Sequence, residues 1–188
     1  HLAEIGLQEA PLTWEGMEAA MRALKAKGHG CAMAYAPNSW NDLEQFSMVH
    51  NIPVATNNNG YDGLDSQLLF NTTLHLKHME NIQRWIKEGL VQIRTAASGM
   101  SSRDSFVKGE CTFFFSSIAD HNTINKIAPA ELKWDVQMLP VYEGHARHNT
   151  VVGGASLWVL AGKTEPEYRG AAAYLAFLAK PEEQRFWV

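Results

Sequence analysis

Met17, Ala20, Met21 and Leu24 recur at helical spacing and share one face. Thr13 stands before them as an N-cap, Glu15 sits in the first turn, and Gly28 closes the segment. A short apolar run follows, CAMAYA at 31–36, and reads as a strand. Pro37-Asn38-Ser39 then turns into a helix carrying Trp40, Leu43 and Phe46. TNNNGYDG at 56–63 is turn material. The spacing predicts a long helix over about 73–88 with Met79, Ile82 and Ile86 on its buried face, and a shorter one from Ser102 to just before Gly109. CTFFF at 111–115 reads as a strand that feeds a helix starting at Ser117. WDVQML and VVGGASLWV read as two more strands, and Thr164 to Glu167 forms a capping box ahead of AAAYLAFLAK. Helices that alternate with short, nearly continuous apolar strands predict an α/β fold with a largely parallel sheet flanked by helices. No internal repeat or linker divides residues 1–188, so one domain is expected.

Composition narrows the function. Apolar residues make up 46% and charged residues 19%, the balance of a globular domain with a core. The net charge of -4 offers no basic field to a nucleic acid. No apolar run reaches the roughly 18 residues of a membrane span. The chain opens at HLAEIGLQ without an initiator Met and stops at KPEEQRFWV just after a helix start, so both ends read as cut.

Several residue groups carry chemistry. Ser117, Asp120 and His121 are the types of a hydrolytic triad, but they crowd one helix start, and no G-x-S-x-G turn accompanies them. Asn57, Asn59, Asp62 and Asp65 fit no EF-hand spacing and read as turn formers. His75 and His78, three apart on a helix, read as surface or boundary residues rather than as a zinc site. His145, Arg147 and His148 read as a solvated basic loop. No nucleotide-binding motif is present, and neither a cofactor nor a metal is expected. Cys31 and Cys111 each open a strand. Parallel neighbouring strands would bring them together as a disulfide, and two buried thiols are the alternative.

Two features point to a small anion. A strand feeding a helix at Ser116-Ser117 leaves backbone N–H groups and a positive dipole end unpaired. Gly153 and Gly154 interrupt an otherwise apolar strand, which suits a close approach to the backbone. Strands of one sheet would let both sites converge at the sheet's carboxyl edge.

The segments LTWEGMEAAMRALKAKG, SWNDLEQFS, NNNGYDG, FVKGEC and VVGGASLW, with the closing AKPE, resemble the periplasmic solute-binding proteins of ABC importers, in particular the branch that binds glycerol-3-phosphate. That resemblance implies two α/β lobes joined by a hinge, of which this chain is most of the C-terminal lobe. It implies a periplasmic, monomeric binder that is not an enzyme. Its ligand would be glycerol-3-phosphate or a glycerophosphodiester, passed to the importer's membrane permease. It carries ligand-binding roles onto Ser117, Gly154 and Trp40, with Ser116 and Gly153 as neighbours in the site. A second family tryptophan falls on Pro37, which removes an aromatic wall. A binder of unphosphorylated sugar or polyol, and a small α/β hydrolase working through Ser117, are the competing readings.

Overall fold

The helix α1, Trp14–Ala26, starts where the sequence predicts: Thr13 is extended, and its hydroxyl accepts from the Gly16 N–H at 3.1 Å. Its buried face is Trp14, Met17, Ala20, Met21 and Leu24, the predicted stripe lengthened by one tryptophan. In the computed structural model, which describes residues 1–71 and 73–187, the chain divides into two compact units, His1–Val151 and Val152–Val188.

In the first unit, three strands form one parallel sheet in the order β2-β1-β3: β1 Cys31–Tyr35, β2 Val91–Ile93 and β3 Cys111–Phe114. Strand β1 is central and buried along its whole length, which is why it reads as an unbroken apolar run. The register pairs Met33 with Val91 on one side and with Phe113 on the other. It also sets Cys31 opposite Cys111, and the two form a disulfide with an S–S distance of 2.08 Å. The α/β class and the parallel sheet therefore hold. Strand β2 was not among the expected strands; at three residues it is too short to show a period.

The expected strand at WDVQML does not form. Residues 132–140 are irregular, and Val141 instead makes an isolated bridge with Thr13, exchanging hydrogen bonds with Leu12 and Trp14 at 3.0 Å each. After β1 the chain runs through a π-helical turn, Trp40–Gln45, into α2, Phe46–His50. The loop at 56–63 is a turn, as expected, and Asn57, Asn58 and Asn59 all have positive φ. Asparagine is among the few non-glycine residues that tolerate this conformation.

The helix α3, Thr73–Lys87, buries His75, His78, Ile82 and Trp85, while Met79 is exposed. The predicted face is thus rotated, and the two histidines are core residues rather than surface ones. Each has a partner that makes burial tolerable: His75 Nε2 meets the Ser47 hydroxyl at 2.7 Å, and His78 Nδ1 meets the Tyr142 hydroxyl at 3.1 Å. His50 completes the group, donating from Nδ1 to the Phe46 carbonyl at 2.8 Å and accepting at Nε2 from the Tyr142 N–H at 3.0 Å. Two short helices finish this unit's framework, α4 Ser102–Val107 and α5 Asp120–Ile127.

The second unit contains α6, Glu165–Leu178, entered through the predicted Thr164–Glu167 capping box, and α7, Pro181–Trp187. The strand expected at VVGGASLWV is absent. Residues 152–160 are exposed and join no strand of the sheet among the described residues, so Gly153 and Gly154 do not lie in it. A Cβ built on either glycine would meet nothing within 4 Å among the described residues. No backbone crowds them, and the apolar run by itself could not make a strand without an edge to pair with.

Candidate functional site

All three strands end at the same edge, and the segments leaving them line one open groove of ≈ 490 Å³. Strand β1 delivers Asn38, Trp40 and Asn41; β2 delivers Arg94 and Thr95; β3 delivers Ser116 and Ser117. This is the edge where α/β sheets place ligands, because loops there are free to diverge while the strand ends hold them in register. Trp40 is half-buried, at the start of the π-helical turn.

That turn is pinned from beneath. The Tyr35 hydroxyl donates to Asp42 Oδ2 at 2.8 Å, and the Asn38 N–H donates to the same oxygen at 3.0 Å. Burial pushes the Asp42 carboxyl above its ordinary range, and burial with the adjacent carboxylate pushes the Tyr35 phenol up as well. Asp42 thereby ties the end of β1 to the element bearing Trp40. A second, smaller cavity of ≈ 40 Å³ is bounded by Trp14, Phe46, Phe115 and Leu139 and shares Ala36 and Asn41 with the groove.

Ser117 lines the groove and is exposed, but it is not the N-cap expected of it. The helix α5 begins three residues later, at Asp120, and Ala119 occupies the cap position. The Ser117 hydroxyl accepts from the Ala119 N–H at 3.2 Å, a local turn that delays the helix. Ser116 donates its hydroxyl to Asp120 Oδ2, and Arg103 Nη1 donates to Asp120 Oδ1 at 2.9 Å. The three residues suggestive of a triad have therefore gone to separate partners, since His121 meets Asn125 at 3.2 Å and packs on Trp134.

Two arginines in the groove were not anticipated. Arg94 directly follows β2, where its N–H extends the sheet by donating to the Tyr35 carbonyl at 2.8 Å. Its Nη2 donates to Gln92 Oε1 at 2.7 Å, and the Ser102 hydroxyl bonds its carbonyl at 2.9 Å. Arg103 sits in the first turn of α4. Each arginine keeps a buried Nε without a hydrogen-bond partner among the described residues. The sequence signal for them was weak: once β2 is recognised, both fall at carboxyl-edge positions, but β2 itself is barely visible.

Among the described residues, one group could hold a metal by proximity: His1, Glu4 and His29, at the opposite end of β1. Glu4 Oε2 and His29 Nε2 lie 3.0 Å apart, and that contact holds the Glu4 carboxyl below its usual range. Asn57 and Asp65, two of the expected turn formers, are joined by a hydrogen bond from Asn57 Nδ2 to Asp65 Oδ1 at 2.8 Å.

A family model described as a bacterial extracellular solute-binding protein matches residues 3–188. The chain is 33% identical over 183 residues to the sn-glycerol-3-phosphate-binding periplasmic protein UgpB of Rhizobium meliloti (strain 1021), a match covering 97% of this chain and 41% of that protein. It is 34% identical over 183 residues to the protein of the same name from Escherichia coli (strain K12), covering 96% and 41%. The corresponding Pectobacterium atrosepticum protein is also 34% identical, with 96% and 40% covered. The chain thus spans about two fifths of the length of these curated relatives.

Proposed function

The chain belongs to the bacterial extracellular solute-binding proteins, and from that footing we propose that it is the C-terminal lobe of a periplasmic binding protein for glycerol-3-phosphate or a glycerophosphodiester. The observation that carries this reading is the groove at the common edge of the parallel strands, where hydroxyls, guanidinium groups and one indole meet. Those are the groups a phosphorylated polyol needs: donors for the phosphate and a flat apolar wall for the carbon chain.

In this reading the protein binds and releases without chemistry. Two lobes close about a hinge, bury the ligand, and present the closed form to the membrane permease of an ABC importer. The protein works as a monomer. Trp40 forms the wall, and Ser117, with Ser116 beside it, donates to phosphate. In the second unit, Gly154, with Gly153 next to it, offers a backbone N–H that no side chain screens.

The test is calorimetry on the two-lobed protein with glycerol-3-phosphate and with glycerol. A hydrogen bond to a charged group contributes about 1.5–3 kcal/mol, so Ser117→Ala is expected to weaken phosphate binding roughly tenfold or more. Gly154→Val is expected to do worse, because it covers the N–H. Neither change should alter the response to glycerol. Variants that bind glycerol-3-phosphate like the parent would remove both residues from the site. Glycerol binding as tight as that of its phosphate would favour an unphosphorylated polyol ligand.

A further inference from the structure

The groove's charged lining consists of three side chains: Arg94, Arg103 and Asp120. They are not equivalent. Arg103 is already matched, with Nη1 held 2.9 Å from Asp120 Oδ1, and the same carboxylate takes the Ser116 hydroxyl on its other oxygen. Arg94 meets only a neutral acceptor, Gln92, and pairs with no carboxylate among the described residues. Two guanidinium groups against one carboxylate leave this wall of the groove with a single unbalanced positive charge.

Resting on the functional reading above, we propose that Arg94 and Arg103 are the charged phosphate-recognition groups of this lobe, and that Asp120 is a specificity-determining counter-charge favouring a singly charged phosphodiester over a doubly charged phosphomonoester. Arg94 supplies the attraction, because its charge is not spent within the protein. Arg103 has further N–H donors beyond the one given to Asp120, in a planar fork suited to phosphate oxygens. Asp120 holds that fork in place and also holds Ser116, so it organises two donors. Its own charge faces the groove and repels a second negative charge on the ligand more than the first. A phosphate monoester carries about 1.5–2 negative charges at neutral pH, with its second pKa near ~6. A diester carries one at any physiological pH. The difference between the two ligands is therefore the quantity that Asp120 reads.

The experiment uses the two-lobed protein at pH 8 and low salt, with glycerol-3-phosphate as the dianion and glycerophosphoglycerol as the monoanion. Arg94→Gln, which breaks no ion pair and so spares the fold, is expected to weaken both ligands by at least roughly tenfold. It should also flatten the dependence of affinity on salt. Asp120→Asn is expected to shift the ratio of the two affinities toward glycerol-3-phosphate by about tenfold, whatever it does to each alone. An unchanged ratio in Asp120→Asn, or parent-like phosphate binding in Arg94→Gln, overturns the inference while leaving the functional reading in place. A parent protein that binds neither ligand overturns the functional reading, and the inference with it.

Discussion

Removing the Cys31–Cys111 bridge, by the double change Cys31→Ala and Cys111→Ala, is expected to destabilise the first unit substantially. The bridge spans 80 residues of sequence, so in the unfolded chain it closes a long loop that the reduced chain leaves open. Loop-closure entropy for that length corresponds to about 4.5 kcal/mol at 25 °C, and measured disulfides usually deliver about 2–4 kcal/mol. The folded state loses little by comparison. The sheet already pairs β1 with β3 through backbone hydrogen bonds, and both cysteines are buried in a small apolar cluster with Ala34, so alanine, a small apolar residue, replaces them there without burying a polar group. For a loss of about 3 kcal/mol in a unit of this size, the melting midpoint should fall by about 6–12 °C. Urea denaturation should also show a steeper slope in the variant, because its unfolded state is more open and exposes more surface. Thiol titration of the denatured, unreduced parent should find no free thiol. Two free thiols, or a midpoint drop below about 2 °C with an unchanged slope, would refute the reasoning.

Two further outcomes follow from the core. Burial holds the His50 imidazole down to about 4 and His78 to about 3, well under the ordinary 6.5, so the unfolded state takes up protons first. Stability is then full above pH 6.5 and is lost as pH falls toward 4, by up to about 1.4 kcal/mol per pH unit for each histidine. Melting curves at pH 7.5, 6 and 5 check this, and a midpoint that does not move across that range would contradict it. Glu18, which bridges α1 to α3 by accepting from Arg84 Nη1 and Nη2 at 2.7 Å each, has its carboxyl held down to about 2 by that guanidinium. Glu18→Gln should cost about 1 kcal/mol at neutral pH, the upper range for a partly exposed pair, and progressively less as pH falls below 4.5 and through about 2. A double-mutant cycle with Arg84→Met that returns no coupling would dismiss the bridge as a stabilising contact.

Much of the fold was legible because it rests on runs with a clear period. The α1 stripe, the β1 and β3 runs and the α6 capping box each state their structure within a dozen residues. What failed did so for physical reasons. Trp85 and the two histidines of α3 define its buried face, but histidine counts as polar until a partner such as Ser47 or Tyr142 is in view. VVGGASLWV has the composition of a strand and no partner edge, so its apolar residues Val152, Leu157 and Trp158 are exposed. Of the candidate site, Ser116 and Ser117 were legible as a strand feeding a helix, Trp40 only through resemblance, and all three share one groove. The arginines were missed because the placement of Arg94 depends on the three-residue β2, and that of Arg103 on its pairing with Asp120 across 17 residues of sequence.

The π-helical turn at Trp40–Gln45 has a consequence for how this chain tolerates change. A turn of that kind holds one residue more than an α-helix of the same length, and one residue is about 100° of rotation around the axis. Downstream, Phe46, Val49 and His50 must keep their angular position, since they are buried. Upstream, Trp40 must face the groove. A regular helix would force one orientation to dictate the other. The extra residue acts as a slipped gear between them, so the groove wall can be re-aimed in evolution by altering six residues while the packing behind it stands still.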